Sequence, residues 1–263
     1  MRKLIYFTIG NDLKYLSLLD ICIKSLNGFD YDGDILFITS FEKEIRDSFN
    51  FKSNNNIFFM DLKSNDILTS SANKLKIYQF DDVNNYDQFI YCDVDTIWIK
   101  SPNILFDHIE EDKVYMSTEY HQTSLMSNLY WGGVLLNDEE VNYIEKNNII
   151  GLNAGSFIFN SNMLNTMREI DEFFFKNLDK ADVCLEQPYI NTFLFRNNRY
   201  SATIDRYVNN NANFISEYEL EKFKDNGGVL LHFSAGIGDA NYKYNNMVKT
   251  LDIMKNSFLK EEF

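Results

Sequence analysis

Residues 88–99 read Gln-Phe-Ile-Tyr-Cys-Asp-Val-Asp-Thr-Ile-Trp-Ile. Gln88–Tyr91 is apolar enough for a buried strand, and it runs into two carboxylates, Asp93 and Asp95, with apolar chain resuming at Ile97. In extended chain, residues two apart point to the same face. Like charges held together at a strand end repel and need a counter-charge. A divalent cation supplies one, and hard oxygen ligands suit Mg²⁺ or Mn²⁺. Two solvated turn aspartates are the simpler alternative.

Upstream of this stretch, strands alternate with helical spacing. Lys3–Ile9, Asp34–Thr39 and Ile57–Asp61 are predicted strands. Leu13–Leu26, Glu42–Phe49 and Ala72–Phe80 are predicted helices, with Leu16, Leu19, Ile23 and Leu26 on one face and Leu75 and Tyr78 inward. Such a β-α series over about 90 residues predicts an α/β fold, a mostly parallel sheet with helices on both faces. Ligands bind beyond the carboxyl ends of such strands, which is where Gly10, Asn11 and Asp93 fall.

Downstream the pattern changes. Val114–Ser117, Gly133–Leu136 and Ser156–Phe159 are predicted short strands of mixed direction, and Val229–Phe233 a late strand. Met163–Phe175 and Pro188–Phe195 are predicted helices. In the tail, Met247, Leu251, Met254 and Phe258 recur at helical spacing, which suits packing against the domain better than a membrane-surface helix. The expected organisation is one domain over 1–263: a β-α part to residue 100, a second part over 101–240, and a C-terminal helix over 241–263.

Composition narrows the function. A net charge of −14 works against long nucleic acids, which require clustered Lys and Arg. A small phosphorylated ligand stays compatible if a metal ion carries positive charge. Cys22, Cys92 and Cys184 are far apart and form no C-x-x-C pair, so buried reduced thiols are expected rather than a zinc site. No apolar run reaches the roughly 20 residues of a membrane span. The first residues read as a strand rather than a signal peptide, no N-x-[ST] sequon occurs, and a cytoplasmic location is expected.

Several short elements, in order, carry a family resemblance. They are Phe7-Thr8-Ile9-Gly10-Asn11-Asp12 with Tyr15 and Ser25-Leu26, Lys74-Leu75, Tyr91-Cys92-Asp93-Val94-Asp95-Thr96, Asn153-Ala154-Gly155-Ser156-Phe157, Glu186-Gln187 with Ile190-Asn191, and His232-Phe233. Together they resemble the GT-A glycosyltransferases of the family-8 type, which includes glycogenin and the bacterial lipooligosaccharide galactosyltransferases. The resemblance runs from the first strand to about residue 236 and implies a GT-A fold, a Rossmann-like architecture.

The resemblance also implies roles. Asp93, Asp95 and His232 would bind Mn²⁺ or Mg²⁺, and the ion would bridge the two phosphates of a UDP-sugar as a Lewis acid. Thr8, Asn11 and Tyr15 would hold uracil and ribose. Val94, Asn153, Ala154 and Gly155 would lie near the donor, and Lys74 would add a point charge beside phosphate or sugar. Glu186 and Gln187 would sit near the anomeric carbon as the catalytic pair. Hexose transfer with retention is implied, to a glycan, lipid or protein acceptor.

This sequence departs from the family at three points. Glu186 stands where Asp is usual. The glycine after His232-Phe233 is displaced to Gly236. The lysine expected over the donor phosphates is replaced by Gly238-Asp239, which leaves Lys243 as the nearest substitute. His121–Tyr130 and Trp131-Gly132-Gly133 match no family element. Each site residue has a plainer reading: Lys74 and Lys243 as solvated helix lysines, Asn153–Gly155 as a turn before a strand, Glu186 as a helix N-terminal carboxylate, His232 as a core histidine, Tyr15 as packing. Replacing Lys74 is expected to affect turnover far more than stability.

Two other functions compete. A haloacid-dehalogenase-type phosphatase would use Asp93 as nucleophile and Asp95 as general acid with Mg²⁺ nearby. Its motif normally follows the first strand of the fold, whereas here the β-α series comes first. A non-catalytic nucleotide-sugar-binding domain is the third reading, and retained metal ligands speak against it.

Overall fold

A computed structural model describes residues 1–10, 12–52, 54–62, 66–119, 132–180, 185–234 and 239–257. The strands of its main sheet are β1 (Lys3–Ile9), β2 (Asp34–Thr39), β3 (Ile57–Met60), β4 (Gln88–Cys92), β6 (Val114–Thr118), β7 (Leu152–Asn160) and β8 (Tyr200–Ser201). They lie in the order β3-β2-β1-β4-β7-β6-β8. The first four are mutually parallel, while β7 runs antiparallel to both β4 and β6. Every residue of β2 and β4 is buried, the pattern of parallel strands covered on both faces.

The covering follows from β1's period of two. Ile5, Phe7 and Ile9 enter one core with Leu18, Leu19, Cys22 and Leu26 of helix α1 (Leu16–Asn27). Leu4 and Tyr6 enter the opposite core with Leu75 and Ile77 of a 3₁₀ helix (Ala72–Gln79). Two further helices join that second core. They are the pair flanking residues 177–186, here α6 (Leu164–Lys176) and α7 (Gln187–Arg196). Between α1 and α6 the chain forms α2 (Glu42–Ser48), α3 (Ile67–Ser71), α4 (Asn103–Phe106) and α5 (Asp138–Lys146), and after α7 come α8 (Glu217–Asp225) and α9 (Ala240–Ser257).

A second sheet stands beside the site. β5 (Thr96–Trp98) pairs antiparallel with β10 (Leu230–His232), which pairs parallel with β9 (Val208–Asn209). The register sets His232 opposite Thr96. The residues just after Asp95 are thus pinned to a strand from far along the chain.

Several expectations are corrected. Gly133–Leu136 is not a strand but a turn, closed by a Leu135 N–H bond to the Gly132 carbonyl of 2.6 Å. Gly132 has φ +67, and a Cβ there would come within 2.8 Å of Pro188 Cβ, so its glycine is required by backbone geometry. The predicted strand Ser156–Phe159 begins earlier, at Leu152. The Ala72–Phe80 helix is 3₁₀ and bends at Lys76. Helix α5 was legible in principle: Asn137 and Glu140 form a capping box at its start.

The tail stripe is a core stripe, since Met247 and Met254 are buried in the α1 core; Phe258 lies outside the described residues. Cys22 and Cys92 are buried free thiols, and burial pushes the Cys22 thiol up to about 12. Cys184 lies outside the described residues. Among the described residues no helix is long and apolar enough to cross a membrane.

Candidate functional site

The carboxyl end of β4 delivers Tyr91 inward and Asp93 to the sheet edge. Asp93 is fixed by its backbone, whose N–H donates to the Gly155 carbonyl (2.7 Å) and whose carbonyl accepts from the Thr96 hydroxyl (2.9 Å). Its side chain is 31% exposed, so one flank of the cluster faces solvent. Tyr91 donates its hydroxyl to Asp93 Oδ1, and Thr8 at the end of β1 bonds Tyr91 at 2.9 Å. Thr8 therefore reaches the acidic pair through Tyr91.

Lys74 is no solvated helix lysine. It is 4% exposed, and Nζ meets Glu186 Oε1 at 2.7 Å, Asp93 Oδ1 at 3.2 Å and the Ala154 carbonyl at 3.1 Å. Those three acceptors use all three ammonium protons. Burial disfavours the charge, but the Asp93 and Glu186 carboxylates outweigh it and hold the Lys74 pKa well above its ordinary value. Tyr6 donates to the Lys74 carbonyl at 3.0 Å and fixes the 3₁₀ backbone that presents it.

Glu186 occupies the N-cap position of α7 but makes no capping bond there; its carboxylate goes to Lys74 instead. The preceding Leu185 has φ +53, a left-handed conformation costing of order 1 kcal/mol or more for such a side chain. Gln187 accepts from the Ala154 N–H (2.9 Å) and donates to Glu119 (3.3 Å). Asn153 also donates to Glu119 (2.6 Å) and accepts from the Gly155 N–H (2.8 Å). Asn191, one turn along α7, bonds both the N–H and the carbonyl of Leu152. Asn153–Gly155 is thus strand, not turn, and α7 is stitched to it by amides. Glu119 escaped the sequence reading because a lone carboxylate at a strand end carries no local signal.

His232 closes the cluster. Its Nε2 lies 3.5 Å from Asp95 Oδ1 and 3.8 Å from Asp93 Oδ2. On its other side Nδ1 is 3.4 Å from Asn210 Oδ1. Both amide protons of Asn210 are used, on the Ser117 hydroxyl (2.7 Å) and the Thr118 carbonyl (3.0 Å). Its oxygen therefore faces ring Nδ1, which turns Nε2 toward the two carboxylates. Asn210 carries no local sequence signal for this role.

Such a convergence of ligand atoms could hold a cation. Asp95 Oδ1 is buried and has no hydrogen-bond partner. The ligand atoms of Asp93, Asp95 and His232 all lie within 4.8 Å of one another. An octahedral ion with ligands at about 2.1 Å sets neighbouring ligand atoms about 3 Å apart. The two spacings from His232, 3.5 and 3.8 Å, exceed that by under about 1 Å. Two carboxylates and an imidazole, with an amide orienting the ring, could hold a divalent cation.

The other oxygen of Asp95, Oδ2, is bonded by Lys243 from the first turn of α9. Lys243 is 9% exposed, so it is not a solvated lysine either. Burial disfavours the charges at Asp95 and Lys243, yet their attraction prevails: it raises the Lys243 pKa and, with His232, drops that of Asp95 well below the carboxylate range. Val94 is buried between the two aspartates, and Tyr15 is half-buried against the α1 core. Asn11, Gly236 and residues 120–131 lie outside the described residues.

Gly155 gives the site a sharp steric test. A Cβ there would stand 2.1 Å from His232 Cε1. Gly155→Ala should push the imidazole off the carboxylates, weakening Mn²⁺ binding at least tenfold in a calorimetric titration, with a stability cost of about 1–3 kcal/mol. Unaltered Mn²⁺ affinity would show that His232 is not a ligand.

No protein-family model matches this chain, and no curated protein matches it in sequence. Solved structures do match it in fold. The galactosyltransferase LgtC, solved in complex with donor and acceptor sugar analogues, superposes with a TM-score of 0.59 at 15% identity, over 94% of this chain and 95% of its own. A glycosyltransferase involved in glycosylation of the major capsid of PBCV-1 gives 0.58 at 10% identity, over 94% and 100%. The bifunctional glycosyltransferase WbbM gives 0.57 at 16% identity over 97% of this chain; the chain spans 51% of its length. The α/β fold expected from the sequence is the one these GT-A glycosyltransferases share.

Proposed function

We propose that the protein is a metal-dependent glycosyltransferase that moves a hexose from a UDP-sugar to a glycan, lipid or protein acceptor, with retention at the anomeric carbon. The observation that carries this reading is the set of acceptor atoms from Asp93, Asp95 and His232, converging at the carboxyl end of β4 in a GT-A fold. When bound, Mn²⁺ (or Mg²⁺) would neutralise charge developing on the leaving diphosphate.

The chain's own residues supply the rest. Residues 1–100 would hold the nucleotide, with Thr8, Asn11 and Tyr15 around uracil and ribose, and residues 101–240 the sugar and acceptor. Asn153, Ala154 and Gly155 would lie against the sugar as a wall fixed by Glu119, Gln187 and Lys74, with Val94 and Gly236 close by. Glu186 and Gln187 would face the anomeric carbon, with Glu186 held in place by Lys74 at 2.7 Å. Lys74 thus acts on the donor through the carboxylates it holds. Lys243 would meet the diphosphate. Two buried free thiols suit a reducing, cytoplasmic compartment.

The phosphatase alternative has less support. A general acid must hold a proton at working pH, and Asp95 is held ionised by Lys243 and His232. The deciding experiment offers a panel of UDP-sugars and p-nitrophenyl phosphate with Mn²⁺ or EDTA. Release of UDP from one UDP-hexose, abolished by EDTA, is expected. Phosphate release from the nitrophenyl ester with no turnover of any nucleotide-sugar would refute the reading.

A further inference from the structure

We infer that Lys243 is a resident cation on Asp95 which a divalent ion must displace, so that ion binding and release of Lys243 are one coupled event. The identity of the ion rests on the reading above; the competition itself rests on geometry.

Asp95 offers its two oxygens to different sides. Oδ2 is bonded by the Lys243 ammonium, while Oδ1 faces His232 Nε2 at 3.5 Å without a hydrogen-bond partner. The oxygens of one carboxylate are about 2.2 Å apart, so an ion taken up on Oδ1 would stand within about 7 Å of the ammonium, where like charges repel in a buried setting. The single charge of Asp95 would then be shared between two cations.

Of the two lysines buried at the acidic pair among the described residues, Lys243 is the one able to yield. Lys74 is held by three acceptors, from Asp93, Glu186 and Ala154. Lys243 is held by Asp95 alone among the described residues. It also sits in the first turn of α9, its N–H bonded to the Asp239 carbonyl at 3.2 Å. The positive end of a helix disfavours a cation there, so Asp95 is what keeps the side chain folded inward. Once the ion takes Asp95, the ammonium is available to an anion arriving with that ion. A nucleoside diphosphate and the ion would then each strengthen the other's binding, reciprocally.

The test uses Mn²⁺ alone, titrated calorimetrically into the intact wild-type chain and into Lys243→Met and Lys243→Arg. The methionine variant should bind Mn²⁺ at least tenfold more tightly than wild type, and the arginine variant no more tightly than wild type. Equal or weaker binding by Lys243→Met overturns the inference, as does equally tightened binding by Lys243→Arg. A second measurement needs no variant: brief acetylation of wild type, read by mass spectrometry. Mg²⁺ should raise modification of Lys243 severalfold, and an unchanged level overturns the inference. Neither readout involves a nucleotide. Failure of UDP to bind would sink the proposed function while leaving this comparison intact.

Discussion

Lys74→Met should lower the stability of the fold by about 3–5 kcal/mol and abolish measurable sugar transfer. The stability term arises because the substitution strands Asp93 and Glu186, whose charges lose their common partner in a site where Lys74 is 4% exposed. The sequence reading expected turnover to suffer far more than stability; burial changes that expectation. Pairing Lys74→Met with Glu186→Gln should recover part of the stability and none of the activity. The pH dependence has a defined sign. The Lys74 pKa is raised on folding, so its contribution is complete below the unfolded lysine value of about 10.4 and fades only as pH rises through the folded one. Urea midpoints of wild type and variant should therefore stay separated from about pH 5 to pH 9. A variant as stable as wild type across that range would show that the lysine is not the keystone of the carboxylates.

The second large effect is at Asp95. Asn has nearly the same shape but no charge, so Asp95→Asn should erase most of the gain in UDP affinity that Mn²⁺ confers, a loss of about 100-fold or about 2.7 kcal/mol. Two consequences accompany it. Lys243 loses its partner, and the acid limb of stability should flatten. The Asp95 pKa is depressed on folding, so its contribution is present above the unfolded value of about 3.9 and disappears as pH falls through the folded one. Calorimetry of UDP with Mn²⁺ and with EDTA decides the first point: a variant that keeps the full metal-dependent increment contradicts the assignment.

The sheet was legible because its strands declare themselves. Lys3–Ile9 and Asp34–Thr39 appear in the structure as read, and β4 differs by one residue. Buried parallel strands are unbroken apolar runs, and nothing else of that length competes. The shorter pieces misled for the converse reason. Gly133–Leu136 has strand-like composition, but the φ +67 of Gly132 turns the chain before pairing can start. β5 was hidden because three residues carry no periodicity, and only the late strand β10 makes Thr96–Trp98 a strand.

The candidate site divides similarly. Asp93, Asp95, Lys74, Glu186 and His232 were named from ordered motifs, and the structure brings them within ion-pair reach of one another. What sequence could not supply was the wiring. Asn210 orients the imidazole from β9's end, Glu119 joins Asn153 to Gln187, and Lys243 reaches Asp95 from a helix after the last strand. Each of these partnerships crosses many residues, and no local pattern encodes them.

The antiparallel pairing of Thr96 with His232 bears on the order in which a ribosome makes this chain. Both aspartates emerge early, together with the strand that carries them, and Lys74 comes before either. The imidazole and Lys243 follow only after every strand of the main sheet has left the tunnel. A nascent chain at that midpoint can begin to assemble β1, β2 and β4, yet it holds a pair of carboxylates without the imidazole that closes their cluster. On the proposed function, ion capture would thus wait for the final strand, long after the acidic pair has been made.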